Sequence, residues 1–436
     1  MKLYHKLLIA FLGLLLLASL GCSNRGTNSN NKPNIEEGGI LKKEGAHVFS
    51  TELAFQIGNE FSQMRIVAYV PPEFYQGKLL PVLILLPPQD GNEYFYFNHG
   101  LKELADELIS EGAIQPMAIV CPSNDLTFGG YFWGSHRNDV QISDSVYSIS
   151  GAVAAGNYDS LFHYGLIDYI DNGFIVSVYP DPTVREQKRG IGGIGMGAYG
   201  AFRAAIRNPG EFGSVSAIDG PLDFDGTDGN GGLVSLMDNA LIEQGILGDP
   251  NWRTKFDSSG AWHLSRLFIG GALAFSPHDT ALTYVRKYNT VTKEYTNTVV
   301  TGSRMQLADS TTLVTGVVVG DASSDFDFNL PFDGTGHKYY PIWNLWLANN
   351  LENMLNQTDN QLAGVNMWIA TSTQSTFGNY HEQTQSFYNT LTSAPYNYPV
   401  EEYTYKGYPG KPAYKDQYLY DLMKRMLIFH SESFGN

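Results

Sequence analysis

RGIGGIGMGAYGAFRAAIRNPGEF runs from residue 189 to residue 212, and three of its features decide how it folds. Gly190 to Ile194 is short, apolar and uncharged, the pattern of a strand buried on both faces. Ala198 to Arg207 has helical spacing and is stopped by Asn208-Pro209-Gly210. Between them, Gly193-Ile194-Gly195-Met196-Gly197 places glycine at every second position, which lets the chain turn sharply from strand into helix. A buried strand, a tight turn and an amphipathic helix form the repeating unit of a parallel sheet with helices on its faces.

The same alternation continues outward in both directions. Glu52 to Val70 alternates apolar and polar residues and predicts one or two antiparallel edge strands. Pro81 to Leu86 and Met117 to Cys121 are short apolar runs that read as buried strands, as do Ser214 to Ile218 and Val365 to Ala370. Gly100 to Glu111, Tyr158 to Ile170, Tyr380 to Leu391 and Lys415 to Phe429 have helical spacing, and Glu401 to Tyr405 is a strand between the last two. The fold class is therefore α/β, a mostly parallel central sheet with helices on both faces. Two stretches break the rhythm. Residues 126–155, rich in glycine, serine and aromatics, read as a long loop over one edge. Tyr288 to Val319, rich in threonine and valine, reads as a small β-hairpin insertion within about residues 285–320.

The N-terminus addresses the compartment. Lys2 and Lys6 precede an apolar stretch from Leu7 to Leu17, and small residues lead to Cys22, so residues 1–22 read as a secretion signal. Ser19-Leu20-Gly21-Cys22 resembles a bacterial lipobox, whose cysteine carries the lipid; an ordinary signal peptide cleaved nearby is the alternative. Ser23 after the cysteine points to the outer membrane or cell surface. Residues 23–46 read as a flexible tether, and 47–436 as the folded domain. With Cys22 lipidated, Cys121 has no partner and reads as a buried thiol. The chain carries a formal charge of −16, and loss of the signal leaves 26 basic against 44 acidic residues, or −18. That balance argues against nucleic acid as a partner.

The order of several motifs is similar to the esterase D-like branch of the α/β hydrolases, which includes feruloyl and acetyl-xylan esterases, S-formylglutathione hydrolases and mycolyltransferases. The resemblance runs from about Glu52 to Phe434. It rests on Ala68-Tyr69-Val70-Pro71-Pro72-Glu73-Phe74, Pro81 to Leu86, Leu166 to Asp171, the turn with Gly200-Ala201-Phe202-Arg203, Phe212 to Ala217, Ala274-Phe275-Ser276-Pro277 and Met426 to Ser431. It implies an α/β-hydrolase fold in which the glycine turn is the nucleophile elbow, G-x-S-x-G.

Acyl transfer on that fold requires a hydroxyl nucleophile, a histidine base, an orienting acid and two N–H donors. The resemblance puts the nucleophile at Gly195, flanked by Gly193, Met196 and Gly197, where glycine replaces serine. It puts the base within Gly407 to Tyr414, which holds Lys411 and Ala413 but no histidine, and the acid at Ser375. His430, at the far end of the last helix, and His381, at the start of an earlier one, are poor substitutes for the base. The oxyanion loop reads Leu85-Leu86-Pro87-Pro88-Gln89, and its prolines remove donors. Met196 N–H would survive. Four failing elements together indicate a catalytically silent domain that binds a glycan, peptide or protein partner.

An active carboxylesterase with a hydroxyl from Ser135, Ser150 or Ser375 is the alternative, and a purely structural envelope protein is a third reading. Gln89, Tyr94, Tyr131 and Trp133 are candidate residues for the rim of the cleft. Asp223 to Asn230 superficially suggests a calcium loop but lacks the ligand spacing. No His/Cys cluster has zinc spacing, and no cofactor is expected.

Overall fold

The computed structural model describes residues 36–37, 46–57, 60–89, 91–123, 165–174, 179, 181–226, 231–257, 262–276, 285–289, 294–298, 330–356, 361–374, 379–407 and 417–435. Its strands are β1 (Glu36–Glu37), β2 (His47–Ile57), β3 (Glu60–Val70), β4 (Val82–Leu86), β5 (Ala118–Pro122), β6 (Arg189–Ile194), β7 (Ser214–Ile218), β8 (Val285–Asn289), β9 (Glu294–Thr298), β10 (Asn366–Ser372) and β11 (Val400–Tyr405). Six helices matter for the argument: α1 (Leu101–Ser110), α2 (Met196–Arg207), α3 (His263–Phe275), α4 (Tyr340–Leu347), α5 (Tyr380–Thr392) and α6 (Gln417–Ser433).

Nine strands form one sheet in the order β1-β2-β3-β5-β4-β6-β7-β10-β11. β2 and β3 form an antiparallel hairpin, β3 pairs antiparallel with β5, and from β5 to β11 every pairing is parallel. β4 and β6 lie at the centre, and all their residues are buried, which is why, apart from the ion-paired Arg189 that opens β6, their sequences are apolar or glycine. The order reverses at β4–β6, and there the carboxyl ends of neighbouring strands leave a crevice.

Two cores sandwich the sheet. On one face Ile84, Leu86, Ile191, Val215 and Ile369 pack against α2, α3, α4 and α5. On the other, Leu83, Leu85, Ile194, Ile218 and Trp368 pack against α1 and α6. α1 buries Leu101, Leu104, Ala105 and Leu108, an i, i+3, i+4, i+7 stripe. Asn34–Asn436 forms one compact unit.

β8 and β9 pair antiparallel as a separate hairpin at the start of the predicted insertion, whose remainder lies outside the described residues. Within the stretch read as a tether, Glu36–Glu37 instead pairs with β2 as a short parallel strand. The outer edge of β2 presents unpaired backbone groups that a nearby extended segment can satisfy. The helix expected over Tyr158 to Ile170 is described only from residue 165, and Tyr169–Phe174 winds as a π-helix. Among the described residues no helix is long and apolar enough to cross a membrane.

Candidate active site and its replacement residues

The turn between β6 and α2 has the geometry that its glycines suggest. Gly195 sits at φ 60°, ψ −121°, a region that glycine enters freely and other residues enter only under strain. Its N–H donates to the carbonyls of Ile218 (3.0 Å) and Asp219 (2.9 Å), which ties the turn to the end of β7. The flanking glycines are required by close approach: a Cβ on Gly193 would come within 2.3 Å of the Gly197 carbonyl carbon, and one on Gly197 within 2.1 Å of Leu86 O.

At the centre of the turn the vacant Cβ position of Gly195 lies 3.0 Å from Gln89 Oε1, 3.6 Å from Pro88 Cβ and 3.7 Å from Tyr380 Cε2. The space into which a nucleophile would project is thus closed in by a carboxamide, a proline and a tyrosine ring. Gln89 was expected at a cleft rim, but it is only 6% exposed. The turn after β4 sends its side chain inward against the elbow. Both polar atoms of its amide are buried without a hydrogen-bond partner among the described residues. Gln89 is also the first residue after Pro87-Pro88 that carries a backbone N–H.

Tyr94 is half-buried against the α1–α6 core, alongside buried Phe95, Tyr96 and Phe97, and the Tyr96 hydroxyl donates to Leu86 O at 2.8 Å. Aromatic bulk drives this run into the core. Tyr131, Trp133, Ser135, Ser150, Ser375, Lys411, Ala413 and Cys22 lie outside the described residues.

A buried acid stands where the sequence reading had none. Asp219, directly after β7, is 1% exposed and has φ 32°. Its Oδ1 accepts from the Ser372 N–H at 3.1 Å, and its Oδ2 accepts from the Tyr405 hydroxyl at 2.5 Å. Its own N–H donates to Ala370 O at 3.1 Å. One carboxylate therefore ties together the tips of β7, β10 and β11. Burial raises its pKa, and the Tyr405 and Ser372 hydrogen bonds oppose that rise. Burial, with Asp219 beside it, raises the Tyr405 phenol too. An Asp-Gly pair closing a buried apolar strand was the available signal; the search for an acid looked only after the penultimate strand.

Neither histidine completes a relay with Gly195. His381 begins α5, and its Nδ1 lies 2.8 Å from Glu382 Oε2 without the alignment of a hydrogen bond. His430 lies on the far face, within α6, between the hydroxyls of Ser214 (2.7 Å to Nδ1) and Ser216 (2.8 Å to Nε2). The suspected calcium loop opens with an Asx turn: Asp223 Oδ1 accepts from the N–H groups of Asp225 and Gly226, its Oδ2 accepts from Ser386, and Asp225 pairs with Lys338. No group of three or more His, Cys, Asp or Glu side chains able to hold a metal occurs among the described residues.

The strand order, the glycine elbow and the helices on both faces define an α/β fold with a mostly parallel central sheet, the fold that the comparisons with known proteins share. The family model described as "Putative esterase" matches residues 61–269. A ferulic acid esterase structure is 16% identical, covers 90% of this chain and 100% of its own, and superposes with a TM-score of 0.50. An S-formylglutathione hydrolase from Agrobacterium tumefaciens is 15% identical over 88% of this chain and 95% of its own, with a TM-score of 0.42. A feruloyl esterase module from Clostridium thermocellum is 10% identical over 89% and 90%, also with a TM-score of 0.42.

Proposed function

We propose that the chain is a lipid-anchored, extracytoplasmic bacterial protein whose esterase-like domain binds a glycan, peptide or protein partner and does not hydrolyse esters. The observation that carries this reading is the elbow: Gly195 offers no nucleophile, and the Gln89 amide faces the space where one would project. The buried carboxylate of Asp219, whose backbone carbonyl accepts from the Gly195 N–H, takes its hydrogen bonds from Tyr405 and Ser372. The signal-like N-terminus ending at Cys22 supports the anchoring, in the outer membrane or at the cell surface.

The test is direct. Full-length protein is expected to leave p-nitrophenyl acetate unhydrolysed above a buffer blank and to take up no fluorophosphonate. Labelling of any serine, including Ser135, Ser150 or Ser375, would establish the alternative of a working esterase with a displaced nucleophile. A glycan array and a pull-down with the anchored protein distinguish a binding domain from a structural envelope component. Gly195→Ser is expected to restore no turnover, because among the described residues neither His381 nor His430 hydrogen-bonds toward the turn. It should lower stability by about 1–3 kcal/mol, the strain of a non-glycine residue at this backbone angle. Ester hydrolysis and a thermal melt on the same sample check both parts.

A further inference from the structure

We infer that Ile242, Leu247 and Trp262 form a patch that rests on the interfacial zone of a phospholipid bilayer and orients the domain on its membrane. This inference rests on the anchoring part of the reading above and goes beyond it.

Six large hydrophobic side chains stand exposed among the described residues, and scattered singly they would carry no meaning. Three of them gather at one corner. Ile242, Leu247 and Trp262 are 52%, 43% and 38% exposed. A hydrogen-bonded frame joins them. Glu243, which follows Ile242, caps the start of α3 by accepting from the Ser265 N–H at 2.6 Å and the Ser265 hydroxyl at 2.7 Å. Gln244 accepts from the Asp257 N–H at 2.7 Å and donates to Ser265 Oγ at 2.6 Å. Asp257 in turn accepts from the Trp262 indole N–H at 3.0 Å. Gly245, at φ 69°, turns the chain, its N–H donating to Ile242 O at 2.9 Å. Ile246 is then buried, and Leu247 is left outside.

The chemistry of the corner selects its partner. The Glu243 and Asp257 carboxylates, the Gln244 amide and the indole N–H all bond within the protein. A glycan requires free donors and acceptors for its hydroxyls, and these groups are already engaged. A bilayer interface requires apolar side chains with a polar border, and tryptophan is enriched there. Arg253, exposed in the short helix just before Asp257, offers a cation to a lipid phosphate. The chain as a whole carries −16, so the contact is apolar and suits a zwitterionic surface.

Chain length points to the same partner. Glu36 is fixed to the sheet by its pairing with Phe49 of β2. The chain from Cys22 to Glu36 reaches about 50 Å at full extension. A lipid on Cys22 therefore keeps the bilayer near the domain at all times, and at that local concentration three side chains suffice for an orienting contact.

The experiment uses full-length protein, purified from bacterial membranes in detergent and reconstituted into vesicles of phosphatidylethanolamine and acyl-brominated phosphatidylcholine. Bromine quenches tryptophan only at close contact. Among the described residues Trp262 is exposed, while Trp252, Trp343, Trp346 and Trp368 are buried. The vesicles are expected to quench part of the wild-type emission, and Trp262→Ala is expected to lose that part. Ile242→Ser with Leu247→Ser keeps the reporter and should cut its quenching roughly twofold or more, because two apolar anchors go. These surface changes should leave the melting temperature nearly unchanged. Equal quenching in wild type and Trp262→Ala would overturn the inference, and so would quenching that about 0.5 M salt abolishes. Shielding of Trp262 from aqueous acrylamide at high protein concentration, without vesicles, would put a second copy on the patch and overturn it too. Flotation separates the two readings. Wild type that fails to float with the vesicles sinks the anchoring and the patch with it; wild type that floats with Trp262 unquenched sinks the patch alone.

Discussion

Arg189→Met should cost about 3–5 kcal/mol, because it removes the one cation shared by two partly buried carboxylates. Arg189 opens β6 and is 2% exposed. One guanidinium nitrogen reaches both oxygens of Asp171 at 2.6 and 2.7 Å, and the other pairs with Glu211 and its carbonyl. Arg185 adds a contact to Asp171 at 3.3 Å. β6 and α2 lie between Arg189 and Glu211 in the sequence, and Asp171 precedes both, so the cluster pins the amino end of the central strand to the helical segment before it and to the loop that leads from α2 to β7. Methionine fills much of the volume and leaves the carboxylates without their donor. A domain of ordinary stability has about 5–15 kcal/mol in all, so the variant should fall near its unfolding threshold at physiological temperature. The check is a urea titration with an unchanged m-value and a lowered midpoint. A variant that also carries Asp171→Asn and Glu211→Gln should recover part of the loss, since the cost lies in stranded charge. If Arg189→Met alone shifts the midpoint by less than the equivalent of about 1 kcal/mol, the cluster is not what holds this corner.

Acid should weaken the fold in a window set by His430. Its imidazole is fully buried, and burial holds its pKa down to about 3 against the ordinary 6.5. Two glycines on β6 make the room: a Cβ on Gly190 would lie 2.6 Å from His430 Nδ1, and one on Gly192 only 2.1 Å from Ser216 Oγ. The native ring stays neutral while the unfolded one takes a proton. The stabilisation is therefore complete above pH 6.5 and is lost as pH falls toward 3. The loss reaches at most about 1.4 kcal/mol per pH unit from this residue. Denaturant midpoints at several pH values between 7 and 4 measure the slope. His430→Gln, which cannot titrate, should be weaker at pH 7 but distinctly flatter on acidification. Equal slopes in the two proteins would mean that the imidazole already titrates normally.

Much of the architecture was legible because it depends on local pattern. Ser214 to Ile218 is a strand at the predicted residues, and the runs at Val82–Leu86 and Gly190–Ile194 show the complete burial that their apolar and glycine content requires. The elbow too was legible, since three alternate glycines between strand and helix admit few other conformations. What escaped depends on contacts across long separations. His430 finds Ser214 and Ser216 from 216 and 214 residues away, and no periodicity reveals that Gly190 and Gly192 make space for it. Asp219 was passed over because its role comes from β10 and β11, which lie far along the chain. Gln89 was placed at a rim because a loop residue's number does not say whether its side chain turns inward.

The docking of α6 has a consequence for how the molecule is made. Leu419, Leu422, Met423, Met426 and Leu427 cover the same face of the sheet that His430 enters. They follow every strand of the sheet in the sequence. During synthesis, the smaller of the two hydrophobic cores therefore has no lid until α6 has left the ribosome. A chain cut just before Gln417 should yield a wet, sticky sheet prone to self-association rather than a slightly smaller version of the same protein.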